Sequence, residues 1–169
     1  IVFEGVEGCG KSYQSHKLKK KLQKKKIKVL LTREPGGTQG AESIRTLILK
    51  DYFNKGKEEK FDKYTDTLLY LAARNEHVKN KIIPALKKKL VVICDRFIDS
   101  TIAYQVDGKK VKRSFIDHLH KFILKGIKPN ITFILKVSPK ASKLRLKKRK
   151  TKNRYDNFSQ SFYTKAQKS

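Results

Sequence analysis

Gly5-Val6-Glu7-Gly8-Cys9-Gly10-Lys11-Ser12 meets the pattern G-x-x-x-x-G-K-[ST] at every fixed position. The chemistry served by that spacing is the cradling of phosphate. Glycines let the backbone wrap until several N–H groups point inward at phosphate oxygens. A helix that follows adds the positive end of its dipole. The lysine ammonium can reach β- and γ-phosphates, and the serine hydroxyl can ligate Mg²⁺. Apolar Ile1-Val2-Phe3 precedes the loop and a helix-compatible stretch follows it, the frame in which this pattern binds a nucleotide rather than forming a chance Gly-rich turn. A second apolar run, Leu90 to Cys94, leads directly into Asp95, where a carboxylate beside a phosphate loop suits a second hold on Mg²⁺. Arg96 follows and would project into the same cleft, at the sheet edge where α/β proteins bind ligands. ATP or GTP binding follows from these residues, whereas the acceptor stays open.

The elements that must position these groups are legible as short apolar runs separated by helical patterns. Ile1–Phe3, Ile27–Leu31, Leu90–Cys94 and Ile131–Leu135 have the length and β-branched content of buried parallel strands. Between them, residues 12–26 carry Leu18 and Leu22, 41–50 carry Ile44, Leu47 and Ile48, and 65–88 carry Leu68, Leu71, Ala72 and Val78, all at helical spacing. Pro84 predicts a kink or break near the end of the third stretch. Residues 114–125 put Phe115, Leu119, Phe122 and Ile123 on one face. Strands alternating with helices imply βαβ units and a parallel sheet flanked by helices, a three-layer α/β P-loop NTPase fold. At 169 residues the chain is expected to be one domain, 1–169.

Composition narrows the class less than its size suggests. The 42 Lys and Arg against 15 Asp and Glu give a net charge of +27, which would draw polyanions through a sequence-independent field. Only eight of the 42 are Arg, the residue that nucleic-acid readers use for bidentate contacts. The lysines crowd into helical stretches such as 17–22 and 87–89, so they read as solvated helix faces, and no specific nucleic-acid partner is expected. There is no apolar run of about 18 residues, so no membrane helix is expected. Glu4 directly follows the first apolar residues, so no secretory leader is expected there, although the chain does not begin with Met. Two cysteines without metal spacing, Cys9 and Cys94, point to a reduced, cytoplasmic setting. His16, His77, His118 and His120 lack paired ligand spacing, so no metal beyond Mg²⁺ is expected.

Three further segments narrow the acceptor. Residues 32–38 read Thr-Arg-Glu-Pro-Gly-Gly-Thr, 68–74 read Leu-Leu-Tyr-Leu-Ala-Ala-Arg, and 95–105 read Asp-Arg-Phe-Ile-Asp-Ser-Thr-Ile-Ala-Tyr-Gln. Together with Phe3-Glu4-Gly5-Val6-Glu7-Gly8, they resemble the thymidylate kinases, in their bacterial branch, in order from Ile1 to about Phe162. The resemblance implies a nucleoside monophosphate kinase-like fold and a transfer of the γ-phosphoryl of Mg·ATP to dTMP, giving dTDP and ADP, in dTTP biosynthesis. It assigns Gly5, Val6, Glu7, Gly8, Cys9, Gly10, Lys11 and Ser12 to ATP, and Ser12 and Asp95 to the metal. Glu7 matches the acidic residue near the sugar 3′-hydroxyl, Tyr70 the aromatic stacked on the base, and Arg74 the arginine that donates to it. Thr101 and Gln105 match the polar groups near the base edge, with Ser100 beside them in the same segment. Tyr104 matches the residue under the deoxyribose, and Arg33 and Arg96 the arginines on the acceptor phosphate. Transition-state charge also calls for an arginine supplied in cis. In the bacterial branch it comes from a lid after the fourth strand, here about 143–154, where Arg149 is the catalytic candidate and Arg145 and Arg154 the clamps on ATP. A homodimer is implied as well.

The chain departs from the family at three places. Lys136 stands where Asp is usual, Val106-Asp107-Gly108-Lys109-Lys110 replaces a run containing glycine and arginine, and Ser169 falls short of a fifth strand, an adenine-lining loop and a last helix. Two rival functions remain. Another nucleoside or deoxynucleoside kinase or monophosphate kinase would differ in its acceptor, and a deoxynucleoside kinase would need a general base for a hydroxyl. A polybasic nucleic-acid-binding P-loop module would hold its ligand at physiological salt.

Overall fold

The computed structural model describes residues 1–51, 61–148 and 160–168. Four strands form, β1 (Val2–Glu4), β2 (Val29–Arg33), β3 (Val91–Asp95) and β4 (Thr132–Ile134). The helices are α1 (Lys11–Lys24), α2 (Gln39–Thr46), α3 (Lys63–His77), α4 (Ile83–Lys87), α5 (Ile98–Thr101), α6 (Arg113–Leu124), α7 (Pro139–Lys147) and α8 (Gln160–Lys168). Wider π-helical turns extend α2 (Leu47–Asp51), join α3 to α4 (Val78–Ile82) and extend α5 (Ile102–Gly108). The sheet is parallel throughout, in the order β2-β3-β1-β4. Its register sets Phe3 and Arg33 on either side of Asp95, so the carboxyl ends of three strands converge where the phosphate loop leaves β1. Among the described residues no helix is long and apolar enough to cross a membrane.

The main core lies on one face of the sheet. Val2, Val92 and Cys94 point there and pack with Leu71, Val78, Ile82, Phe97, Ile116, Ile123 and Leu124, as strand alternation requires. Side chains start the helices at defined points. Thr38 accepts from Ala41 N (3.2 Å) at α2, and Asp62 from Tyr64 N (2.7 Å) at α3. Ser138 caps α7 ahead of Pro139, which occupies a position that has no hydrogen bond to lose.

Several expectations need correction. Pro84 does mark a break, but upstream of it: the regular helix stops at His77 and resumes at Ile83, leaving Pro84 in the first turn of α4. Phe122 is 76% exposed while Ile116, His120, Ile123 and Leu124 form the buried stripe of α6. Leu68 and Ala72 likewise face outward, because the inner face of α3 carries polar Thr67, Arg74 and His77. The strand at 27–31 begins two residues later, at Val29, after a left-handed turn at Lys26. β4 was expected to be buried; among the described residues it lies at the end of the strand order, and all three of its residues are exposed. Residues 98–108 form an unforeseen helical element.

Candidate active site

The loop between β1 and α1 closes around its own lysine. Gly5 sits at φ +140°, and a Cβ there would lie 2.5 Å from the Leu135 carbonyl oxygen, so only glycine fits. Lys11 is buried, and Nζ donates to the carbonyls of Gly5 (3.0 Å) and Val6 (2.9 Å), with Cys9 Sγ at 3.7 Å. Burial, then the Arg96 charge, lower its pKa against the pull of Glu7, Cys9 and Asp95. Gly10 precedes α1 without a side-chain cap, which leaves the helix's first N–H groups facing the loop. Ser12 Oγ donates to Asp95 Oδ2 at 2.6 Å, so the two oxygen ligands expected from sequence do meet.

Arg96 is the knot of the site. Its backbone is left-handed at φ +72°, a strained conformation for a side chain of this size. Nη1 donates to Gly5 O (3.0 Å) and Ser100 Oγ (3.0 Å), and Nη2 to Glu7 Oε1 (2.7 Å) and Tyr104 OH (3.4 Å). The guanidinium also lies over the Tyr104 ring at 5.1 Å. Burial works against its charge, but Glu7, Tyr104, Glu4 and Asp95 together raise its pKa well above the ordinary arginine value. Buried Glu4 holds the turn from below: Oε1 accepts from Phe97 N (2.7 Å) and Ser100 N (3.2 Å), and Oε2 from Ser100 Oγ (2.6 Å).

Deeper in, Arg74 is held on several sides. Nε donates to Glu34 Oε2 (2.7 Å), Nη1 to Thr101 Oγ1 (2.8 Å) and His120 Nε2 (2.7 Å), and Nη2 to Phe97 O (2.9 Å). These bonds use four of its five N–H groups. Glu34 also takes a hydrogen bond from His77 Nδ1 at 2.9 Å. Burial pushes the Glu34 pKa up, yet Arg74 and His77 outweigh it and the net shift is downward. Burial and the Arg74 charge push His120 down to about 4. Tyr70 packs against Ala103 and Tyr104. Gln105 is buried, and its Nε2 has no hydrogen-bond partner among the described residues.

All these groups border one cavity of about 450 Å³ or stand directly behind it. Glu7, Gly8, Gly10, Lys11, Ser12, Arg33, Tyr70, Arg74, Asp95, Arg96, Ser100, Thr101, Tyr104, Gln105 and Arg145 line it, which brings together fifteen of the positions expected from sequence. Arg33 is half-exposed at the rim, paired with Glu42 at 3.0 Å. α7 sits on the loop: Ser142 Oγ donates to Glu7 O (2.7 Å) and Arg145 Nη1 to Gly8 O (3.0 Å). Arg149 and Arg154 lie outside the described residues.

Sequence reasoning missed Glu4, Glu34, Arg45, His77 and His120. Arg45 lines the cavity and donates to Pro35 O at 2.6 Å, while burial and then Arg33 lower its pKa. Its signal was available, since Arg45 shares the stripe of buried Ala41 and Ile48 on α2 and its extension. Glu4 could have been noticed as a carboxylate closing a buried strand.

The segment after β2 packs directly on the Arg74 support. A Cβ on Gly37 (φ +95°) would lie 2.5 Å from His77 Cδ2 and 2.6 Å from Thr32 Oγ1. His77 is fully buried and has no room to withdraw. Gly37→Ala is therefore expected to destabilise the fold by roughly 1–3 kcal/mol. In urea denaturation the midpoint should fall with little change in slope, and an unshifted midpoint would contradict the packing described.

Comparison with known proteins agrees with this geometry. A family model described as thymidylate kinase matches residues 3–169. The thymidylate kinase of a Culex pipiens Wolbachia is 45% identical over 99% of this chain and 77% of its own length. That of Mycoplasma capricolum is 41% identical, over 96% and 77%. The crystal structure of thymidylate kinase from Ehrlichia chaffeensis superposes with a TM-score of 0.72 at 42% identity, covering 86% of this chain and 74% of that one. Phosphate loop, buried arginine and matching relatives run the length of one sequence, and the chain belongs to the thymidylate kinase family.

Proposed function

We infer that this chain is an ATP:dTMP phosphotransferase, making dTDP and ADP, and that the cavity beside the phosphate loop holds the phosphates of the two nucleotides end to end. An oxygen of the dTMP phosphate attacks the γ-phosphorus of ATP, the bond from that phosphorus to the β-bridging oxygen breaks, and ADP leaves. The acceptor is already an ionised phosphate, so no general base is required. Catalysis is then alignment plus charge neutralisation. Lys11 leaves the carbonyls of Gly5 and Val6 for the β- and γ-phosphate oxygens, while the loop N–H groups and the start of α1 hold the rest of the chain. Arg96, locked by Glu7 and Ser100, faces the transferring group. Arg33 and Arg45 stand on the acceptor side. Arg145 closes the loop from α7, and Arg149 and Arg154 follow it in sequence as the catalytic and clamping candidates. Ser12 Oγ and Asp95 Oδ2, hard oxygen donors 2.6 Å apart, fit Mg²⁺ in a site completed by phosphates and water. That ion, when bound, neutralises charge on the bridging and terminal phosphate oxygens.

The observation that carries the acceptor assignment is the pair of donors on the inner wall. Gln105 Nε2 is buried without a partner among the described residues, and Arg74 has one Nη2 N–H beyond its four protein bonds. Two donors fit the carbonyl edge of thymine or uracil and oppose the amino group of cytosine. Tyr70 supplies a stacking ring, and Tyr104 closes the sugar side. A coupled assay with ATP and a panel of dTMP, dUMP, dCMP, AMP and thymidine tests this. dTMP should exceed dCMP and AMP in kcat/KM by at least about 100-fold, because a wrong base leaves the buried donors unpaired. Thymidine should not turn over, and turnover of thymidine comparable to dTMP would refute the phosphate-acceptor reading.

A further inference from the structure

A buried polar chain runs behind the acceptor side of the cavity, and no step of the proposed reaction uses its far members. Thr32 Oγ1 meets His77 Nε2 at 2.6 Å, His77 Nδ1 meets Glu34 Oε1 at 2.9 Å, and Glu34 Oε2 meets Arg74 Nε at 2.7 Å. Beyond Arg74 the chain ends on His120 Nε2, 2.7 Å from Nη1. Every member is buried. The proton positions are forced by chemistry. A guanidinium only donates, so His120 Nε2 accepts and the ring proton sits on Nδ1; an ionised carboxylate only accepts, so His77 Nδ1 donates.

His120 differs from the other partners of Arg74. Glu34, Phe97 and Thr101 line the cavity, whereas His120 comes from α6 and does not, so it cannot act on substrate except through Arg74. It takes the second Nη1 proton, after Thr101 has taken the first. With Nε on Glu34 and one Nη2 proton on Phe97 O, the guanidinium has no rotational freedom left. We propose that His120 is a positioning residue for acceptor recognition, holding Arg74 so that a single Nη2 N–H is presented to the pyrimidine. The proposal rests on the reading of Arg74 as the base donor. The charged groups facing His120 are Arg74 on α3, Glu34 after β2, and Asp117 and Arg113 on α6 itself. Burial and Arg74, the strongest influences, both favour the neutral ring, so the acceptor role is available across the range from pH 5 to 8.

Removing that acceptor leaves a buried N–H of Arg74 unpaired, and the guanidinium turns to recover a bond. Binding of dTMP should suffer and binding of ATP should not. In the full chain, His120→Leu is expected to raise the dTMP KM about tenfold, with the ATP KM within about twofold of wild type. His120→Gln places an amide oxygen where Nε2 was and should restore the dTMP KM to within about threefold. His120→Asn carries the same amide one bond short of Nη1 and should behave like the leucine variant, which keeps the test intact if His120→Leu does not fold. Equal dTMP KM values for the Gln and Asn variants, or parallel changes in both substrates' KM values, would overturn the proposal. Arg74→Ala in the same series separates the two readings. If it leaves the dTMP KM unchanged, Arg74 is not the base donor; if it raises KM while His120→Leu or →Asn does not, only the positioning role fails.

Discussion

Lys11→Ala is expected to lower kcat by on the order of 10³-fold or more with the fold intact. The ammonium is the one loop side chain able to follow the γ-phosphate into the transition state, where its charge counts for more than in the bound ground state. Its loss should not collapse the loop, because its two carbonyl partners have other donors. Gly5 O also receives Arg96 Nη1 at 3.0 Å, and Val6 O receives Cys9 N at 3.4 Å. The residue is buried, so alanine removes a desolvated charge along with its contacts, and the melting temperature should move little in either direction. Steady-state turnover with dTMP and ATP, next to thermal unfolding followed by circular dichroism, measures both quantities. Near-normal turnover would show that this loop does not carry the chemistry. A collapse in melting temperature would show instead that the lysine holds the loop together.

What could be read from the sequence was chemistry confined to short spans. The phosphate loop, Asp95 and Arg96 each sit within a few residues of a recognisable strand, and the structure joins them through Ser12 Oγ to Asp95 Oδ2 and Arg96 Nη1 to Gly5 O. The support of Arg74 was invisible because its partners are 40, 27 and 46 residues away, at Glu34, Thr101 and His120. No periodicity links those positions; the packing of α5, α6 and the segment after β2 around α3 does. The element at 98–108 escaped for another reason. Its wide turn shifts the helical phase, so Ile98, Ile102, Ala103 and Tyr104 do not fall on one 3.6-residue stripe. Phe122 misled in the opposite sense, since an aromatic beside a buried stripe satisfies the pattern without being inside it. The four strands were found within two residues, since β-branched runs between turns are a local signal. Burial of β4 could not be judged this way, because whether a strand is central or at the edge is decided by its neighbours.

Replacing Glu34 by glutamine should destabilise the protein by roughly 3–5 kcal/mol at neutral pH, the usual consequence of removing one partner from a buried ion pair. Arg74 and Glu34 are each nearly inaccessible, at 4% and 3% side-chain exposure. The other acceptors of Arg74 (Thr101 Oγ1, His120 Nε2 and Phe97 O) are neutral, so among its hydrogen-bond partners only Glu34 balances the buried guanidinium. Glutamine has nearly the same volume but must aim its amide N–H₂ at either Arg74 Nε or His77 Nδ1. Arg74 Nε can only donate, so the amide N–H₂ must turn to His77 Nδ1. That nitrogen accepts only if the imidazole moves its proton to Nε2 and Thr32 Oγ1 takes that hydrogen bond. The charge opposite Arg74 is lost in either case. The dTMP KM should rise at the same time, because the bond that fixes Nε loses its charged acceptor. The pH dependence distinguishes charge pairing from simple packing. The Glu34 pKa is depressed relative to its ordinary 4.5, so the carboxylate's contribution is complete above that value and is lost as pH falls through the folded-state pKa. Unfolding free energies of wild type and Glu34→Gln should stay separated by a constant amount from pH 7 to about 5. The gap should then narrow in more acid solution as the wild-type carboxyl takes up its proton. A gap below about 1 kcal/mol at pH 7, or one that does not narrow in acid, would show that the Arg74 charge is balanced by something other than this carboxylate.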